Sequence, residues 1–207
     1  MGFSKYKIEK VLDDPNKILF DKSLNSSVQE DRVLWESVKK GNELAFSSLF
    51  KKFINPLYNY GMHFFSDSDL VKDCIQELFT SIWLKKESLS DVVQVKFYLF
   101  KSFRNLFFAK ISSSKHAIKK DFWDEDFGEM EDSKESEWIQ EEESVEISKL
   151  VQHAIQGLTR RQREAVILRF YNNLDYKQIS EVMGISVEAA HNLNSKAIQL
   201  LRIVLHK

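Results

Sequence analysis

Two prolines, six glycines and one cysteine are spread over 207 residues. Gly and Pro at that level cannot supply the repeated tight turns of an all-β fold, so an all-α protein is expected. The lone Cys74 allows no intrachain disulfide and no cysteine-based zinc site. There is also no Gly-rich phosphate loop and no cluster of metal ligands in the sequence, so no metal and no cofactor is expected. No apolar run approaches the roughly 18 residues that a membrane span needs. The start, Met1-Gly2-Phe3-Ser4-Lys5-Tyr6-Lys7, carries charge throughout rather than a signal-peptide pattern. No membrane insertion and a cytoplasmic location are expected. Cys74 falls on the apolar stripe of a helix with no His in an obvious relay, and His63 precedes a loop, so no catalytic residue is assigned.

What is present is charge, unevenly placed. The formal net charge is only -1, yet residues 121–146 hold 13 acidic residues and one basic residue, Lys134. The rest of the chain carries 29 Lys and Arg against 18 Asp and Glu. The layout is a basic domain, an acidic connector and a second basic domain, which suggests a polyanionic partner.

Helical signals begin near Asp31, read as the cap of a short helix to Lys40 that Gly41 ends. Residues 1–27 show no sustained period and read as a loose extension. Asn42 caps a helix with the apolar face Ala45, Phe46, Leu49, Phe50 and Phe53, which Pro56 is expected to kink or restart. Leu57, Tyr58, Tyr60, Phe64 and Phe65 continue the apolar supply. Ser66-Asp67-Ser68-Asp69 punctuates the chain before a two-faced helix over about 69–86. There Val71, Cys74, Ile75, Leu78, Phe79 and Ile82 form one stripe, and Asp73, Gln76, Glu77 and Thr80 another. An aromatic-rich helix follows over about 92–112. Residues 113–146 lose period and form an acidic interdomain linker, with an amphipathic segment near Trp138. A helix over 147–157 closes at Gly157, and Thr159 with Gln162 opens another that runs to about Tyr171, with Leu158 as its staple.

The strongest local signal runs from Tyr176 to Ser186. Gly184 suits the positive φ of a tight turn, Ser186 caps a second helix to about Leu205, and the small Ser180 sits where the two helices meet. Ile179, Ile185, Ala190 and Leu193 fall at positions buried between them. That is a helix-turn-helix, whose second helix enters the DNA major groove. Its outward face would be Val187, Glu188, His191, Asn192, Ser195 and Lys196, with Ser186 at its cap and Lys177 on the helix before it. Asn and His suit base edges, Ser and Lys suit phosphates, and spacing alone does not say which one reads a base.

Four segments together resemble the sigma-70 family of RNA polymerase sigma factors, in its extracytoplasmic-function (ECF) group. Residues 42–50, Asn-Glu-Leu-Ala-Phe-Ser-Ser-Leu-Phe, are similar to the family's opening helix pair. Asp73, Gln76, Glu77, Phe79 and Trp83 match its D-x-x-Q-E-x-F-x-x-x-W pattern. Tyr98, Leu99, Arg104 and Asn105 match Y-L-x-x-x-x-R-N, and residues 158–165 are similar to the opening of region 4. The resemblance implies two helical domains, a region 2 bundle over 28–112 and a region 4 bundle over 147–207, joined by the acidic linker. It implies that Asp73, Gln76, Glu77 and Thr80 dock on the clamp coiled coil of core RNA polymerase, and that the C-terminal domain meets the polymerase flap and the -35 element of promoter DNA. It implies that Arg104 and Asn105 help open the -10 element. Lys110, Lys115, Lys119 and Lys120 are candidates for charge there, because Ala109 and Ser112 stand where the family carries Asp and Arg. Gln178-Ile179-Ser180 replaces a common E-I-A, and Ala189-Ala190-His191 replaces T-V-K at the start of the recognition helix. An anti-sigma factor is a further candidate partner. The acidic linker would thread a cationic channel of the polymerase or shield the basic faces. The alternatives are a helix-turn-helix regulator and a sigma-like decoy without initiation activity.

Overall fold

In a computed structural model, residues 22–63, 67–113, 155 and 157–205 are described. The linker with Trp138, Phe64, Phe65, Lys115, Lys119, Lys120 and most of the helix expected over 147–157 lie outside them. Every regular element among the described residues is helical. The chain divides into two compact units, one holding the helices before the linker and the other most of the residues after it, with Glu181–Gly184 grouped with the first.

Among the described residues the first unit has four α-helices, α1 (Lys22–Lys39), α2 (Glu43–Met62), α3 (Ser68–Leu84) and α4 (Val95–Ser113), with a 3-10 turn over Lys86–Ser88 between the last two. The helix α1 starts inside the stretch read as a loose extension, so Asp31 lies within it rather than at its cap. The reason is burial. Asp31 is only 5% exposed and is paired with Lys52 of α2. Lys96 of α4 sits nearby, its pKa lowered by burial and pulled back up by Asp31. Trp35 of α1 is fully buried and donates from Nε1 to the Ser90 carbonyl at 3.2 Å. Gly41 takes φ +81 to end α1, and Asn42 Oδ1 accepts from the Ala45 amide at 3.0 Å to start α2. Both follow the sequence reading.

Of the two outcomes expected at Pro56, a kink or a restart, the restart does not occur, because α2 is one helix with Pro56 inside it. Its inner face, Ala45, Leu49, Phe53, Leu57 and Tyr60, is buried continuously across the proline. Each such Leu or Phe contributes about 1.5–3 kcal/mol by burial, which outweighs the roughly 3 kcal/mol that one interior proline costs. At Gly61 the helices close in on one another. A Cβ there would lie 2.8 Å from Val71 Cγ1 and 3.1 Å from Phe103 Cζ.

In the second unit α5 (Arg160–Val166) is capped by a reciprocal Thr159–Gln162 box and continued by a π turn, Ile167–Tyr171. The Asn172 amide donates to the Ile167 carbonyl at 3.1 Å, five residues back, and Asn173 adopts φ 54 to leave the helix. Asp175 and Gln178 form a second reciprocal cap at 2.8 and 2.9 Å. It starts α6 (Tyr176–Met183), which Gly184 ends at φ +67. The Ile185 amide returns to the Ser180 carbonyl at 3.0 Å, and Ser186 Oγ accepts from the Ala189 amide at 3.1 Å to start α7 (Val187–Leu205). Leu158, Val166 and Ala197 form the buried seam between α5 and α7, lined by Phe170 and Leu201.

Candidate functional site

The α3 helix separates its two stripes cleanly. Val71, Cys74, Ile75, Leu78, Phe79 and Ile82 are buried, while Asp73, Gln76, Glu77 and Thr80 are all exposed. Positions i, i+3, i+4 and i+7 place these four polar groups along one face. Trp83, beside that face, packs on Phe46 at 4.9 Å between ring centroids and carries Lys86 over its own ring. That is the packing role its aromatic character suggests.

One contact on this face was not legible in the sequence. Glu77 Oε2 lies 2.7 Å from Lys110 Nζ of α4. The hydrogen bond to Glu77 raises the Lys110 pKa, with burial opposing it. A residue assigned to polymerase and one assigned to DNA therefore hold each other. Residues 33 apart in sequence give no local signal of such a pairing.

Cys74 lies beneath this face, fully buried. Burial pushes its thiol up to about 11, with Lys110 pulling the other way. An unfolded thiol ionises near ~8.5, so the native state holds its proton more tightly. That contribution to stability is complete below the unfolded pKa and is lost as pH rises toward 11. Iodoacetamide at pH 8 should therefore label Cys74 at least about 100-fold more slowly in the folded chain than in urea. Equal rates would show that the helix face is open.

On α4, Phe100, Phe103 and Phe107 are buried, as their core spacing suggests. Arg104 lies 4.8 Å over the Phe108 ring, and Asn105 is exposed one residue on. Ser112, at the family's Arg position, donates from Oγ to the Ala109 carbonyl at 3.0 Å.

In the second unit Lys177, Ser186, Val187, Glu188, His191, Asn192 and Lys196 are exposed and Ser195 half-buried. The seam between the two helices of the motif departs in part from expectation. Ile179 and Ala190 are buried, but Ile185 and Leu193 are only half-buried. Asn194, Ala197 and Ile198 are buried on α7 instead. Ala197 belongs to the seam with α5. Missing from the sequence reading is a stack of three side chains. Arg169, 8% exposed, lies 4.5 Å from the Tyr176 ring, and the Tyr176 ring lies 5.0 Å from that of His191. The only sequence signal was an Arg, a Tyr and a His at ends of successive helices, which no periodicity links.

Among the described residues no group of His, Cys, Asp or Glu could hold a metal ion. No helix among them is long and apolar enough to cross a membrane.

Residues 148–201 match the family model "Sigma-70, region 4". Over 165 residues the chain is 25% identical to the ECF RNA polymerase sigma factor SigM of Bacillus subtilis (strain 168), covering 79% of this chain and 97% of that protein. It is 26% identical over 144 residues to the RNA polymerase sigma factor SigZ of the same organism, covering 69% of this chain and 76% of SigZ. Among solved structures, CnrH in complex with the cytosolic domain of CnrY superposes with a TM-score of 0.55 at 18% identity, over 86% of this chain and 97% of that one. The sigma factor RpoE, in complex with the anti-sigma factor NepR from Bartonella quintana, gives 0.54 at 19%, over 75% and 95%. At those identities the two structures speak for the fold.

Proposed function

The chain is a sigma-70 family protein of the ECF type with a role in transcription initiation, and from that premise we propose how its two units divide the work. The first unit docks on the clamp coiled coil of core RNA polymerase through Asp73, Gln76, Glu77 and Thr80. A carboxylate pair and two neutral acceptors one turn apart suit a partner's Arg and Lys side chains. The observation that carries this reading is the α3 helix, where four polar groups stand exposed directly opposite a fully buried stripe.

The helix α4 lies over the -10 element, with Asn105 and Arg104 toward the opened strand and Lys110 toward its backbone. Arg over an aromatic ring beside an exposed amide is a combination that single-strand binding uses. The second unit meets the polymerase flap and holds the -35 element, with α7 in the major groove. Its exposed face from Ser186 to Lys196 mixes amide, imidazole, hydroxyl and ammonium groups, which sort into base-reading and phosphate-holding chemistry. An anti-sigma factor is the further partner proposed, because RpoE superposes on this chain from a complex with the anti-sigma factor NepR.

The direct test of docking is competition. The full chain should displace a labelled ECF sigma factor from core polymerase, and failure to compete at any concentration would remove the docking role. For DNA, Lys196→Ala should weaken duplex binding by the holoenzyme for all sequences alike. The slope of log K against log salt should fall in magnitude by about one. An unchanged slope would place Lys196 away from phosphate.

A further inference from the structure

His191 differs from its neighbours on the exposed face of α7 because it is held. Its ring meets the Tyr176 ring of α6 at 5.0 Å and 61°. Tyr176 is in turn covered on a ring face by the Arg169 guanidinium at 4.5 Å. Arg169 is itself buried and fixed, donating from Nη1 to the Leu174 carbonyl at 3.0 Å. The stack thus starts in the core, passes through the first residue of α6 and ends on the surface of α7. Among the described residues no comparable ring contact holds Glu188, Asn192 or Lys196.

We infer that Tyr176 is a positioning residue for DNA reading, and that the imidazole it orients makes His191 the residue of α7 that selects a base pair, a guanine in the major groove. The inference rests on the second unit binding duplex DNA, as proposed above. An exposed imidazole without support samples several rotamers, and each is a different approach to the base edges. A ring packed edge-on against a fixed tyrosine loses that freedom before DNA arrives, so binding no longer has to impose it. Guanine offers two acceptors in the groove, N7 and O6. A neutral imidazole has one N–H to donate and a protonated one has two, so His191 can donate to guanine in either state. Adenine presents a donor where guanine has O6, so an imidazole N–H given to N7 meets a second acceptor beside it on guanine and an opposing N–H on adenine. Asn192 lies one residue on and, without a packed ring, is free to follow the backbone or water.

A Tyr176 that only stapled α6 to α7 would show the same contact, and the two roles separate in their effect on sequence preference. The experiment uses holoenzyme assembled from core RNA polymerase and the full chain, offered a pool of duplexes randomised across the upstream element. Bound and unbound DNA are sequenced at several salt concentrations. The wild-type chain should enrich guanine at one position. His191→Ala should flatten that preference by about tenfold, and Tyr176→Leu should flatten the same position by a similar factor. Tyr176→Phe, which keeps the ring, should retain it. The Tyr176→Leu/His191→Ala double variant should be no flatter than His191→Ala alone, because both changes remove one contact. The salt slope should not change in any of them.

A wild-type preference that His191→Ala leaves intact would overturn the inference, and it needs only an exposed side chain to be replaced. Tyr176→Leu lowering binding to every sequence alike, with the guanine preference unmoved, would also overturn it and make the stack a staple. If the wild-type chain enriches no sequence at all, the DNA reading of the second unit fails and the inference goes with it.

Discussion

Glu77→Lys should cost the chain about 100-fold in affinity for core RNA polymerase, while its melting temperature moves by only a few degrees. The two effects come from different partners. Truncating one member of an interfacial charge pair costs about 2–5 kcal/mol, and ~3 kcal/mol is roughly a factor of 100. Within the chain the change breaks the 2.7 Å pairing with Lys110 and brings two ammonium groups together, and because both side chains reach solvent each effect is screened. Such exposed pairs contribute about 0.2–1 kcal/mol, which moves a melting temperature by about 1–8 °C in a domain of this size. Adding Lys110→Glu to Glu77→Lys restores an opposite-charge pair inside the molecule. If polymerase affinity returns with it, the loss came from the strained pair rather than from a lost contact, and Glu77 leaves the docking face.

The second large effect is expected at Gly61, where no partner is involved. A glycine inside a helix is about 1 kcal/mol worse than alanine, so an ordinary helical site would gain from replacement. Here the Cβ would sit 2.8 Å from Val71 and 3.1 Å from Phe103, both fully buried. Real Cβ atoms do not approach that closely, so α2 must move from α3 and α4. Overpacking a tight core costs about 1–3 kcal/mol for small additions, and a branched side chain lies at the upper end or beyond. Gly61→Leu should therefore destabilise the chain by about 3 kcal/mol, read as a drop in the urea midpoint. A midpoint at or above the wild-type value would mean that the helices separate without cost and that the close approach is not under constraint.

These two residues mark what the sequence could and could not say. The two-faced pattern of α3 was legible because burial and exposure alternate with the helical period, and residue type reports burial directly. The caps at Asn42, Thr159 and Ser186 and the turn at Gly184 were legible for a similar reason, since each is a local demand of the backbone. Gly61 was not, because a glycine in a helical pattern looks the same whether or not another helix crosses over it. The Glu77–Lys110 pair and the Arg169–Tyr176–His191 stack were invisible for the same reason. Both join residues that only tertiary packing brings together. At Asp31 a local rule pointed the wrong way, because the side chain that suits a cap is buried against Lys52. At Pro56 local rules allowed a kink or a restart, and continuous burial of the α2 face removes the restart.

The family motif placed Asp73, Gln76, Glu77 and Thr80 on one side of one helix, and the fold leaves that side open. The departures from the family, Ala109, Ser112 and His191, fall on the two surfaces proposed to face DNA. On the proposed reading they bear on which promoter is used more than on whether polymerase is bound.

The central claim is that this chain gives core RNA polymerase the ability to start at chosen sites. It is tested most directly by transcribing a pool of genomic fragments with core polymerase alone, with and without the full chain, and sequencing the 5′ ends of the RNA. New start sites should appear with core enzyme, clustered at discrete positions and sharing a sequence upstream, and require no other initiation factor. Stimulation only when a pre-existing holoenzyme is supplied would make the chain a regulator. Tight binding to core polymerase with no new start site would make it a decoy, and either result would contradict the account.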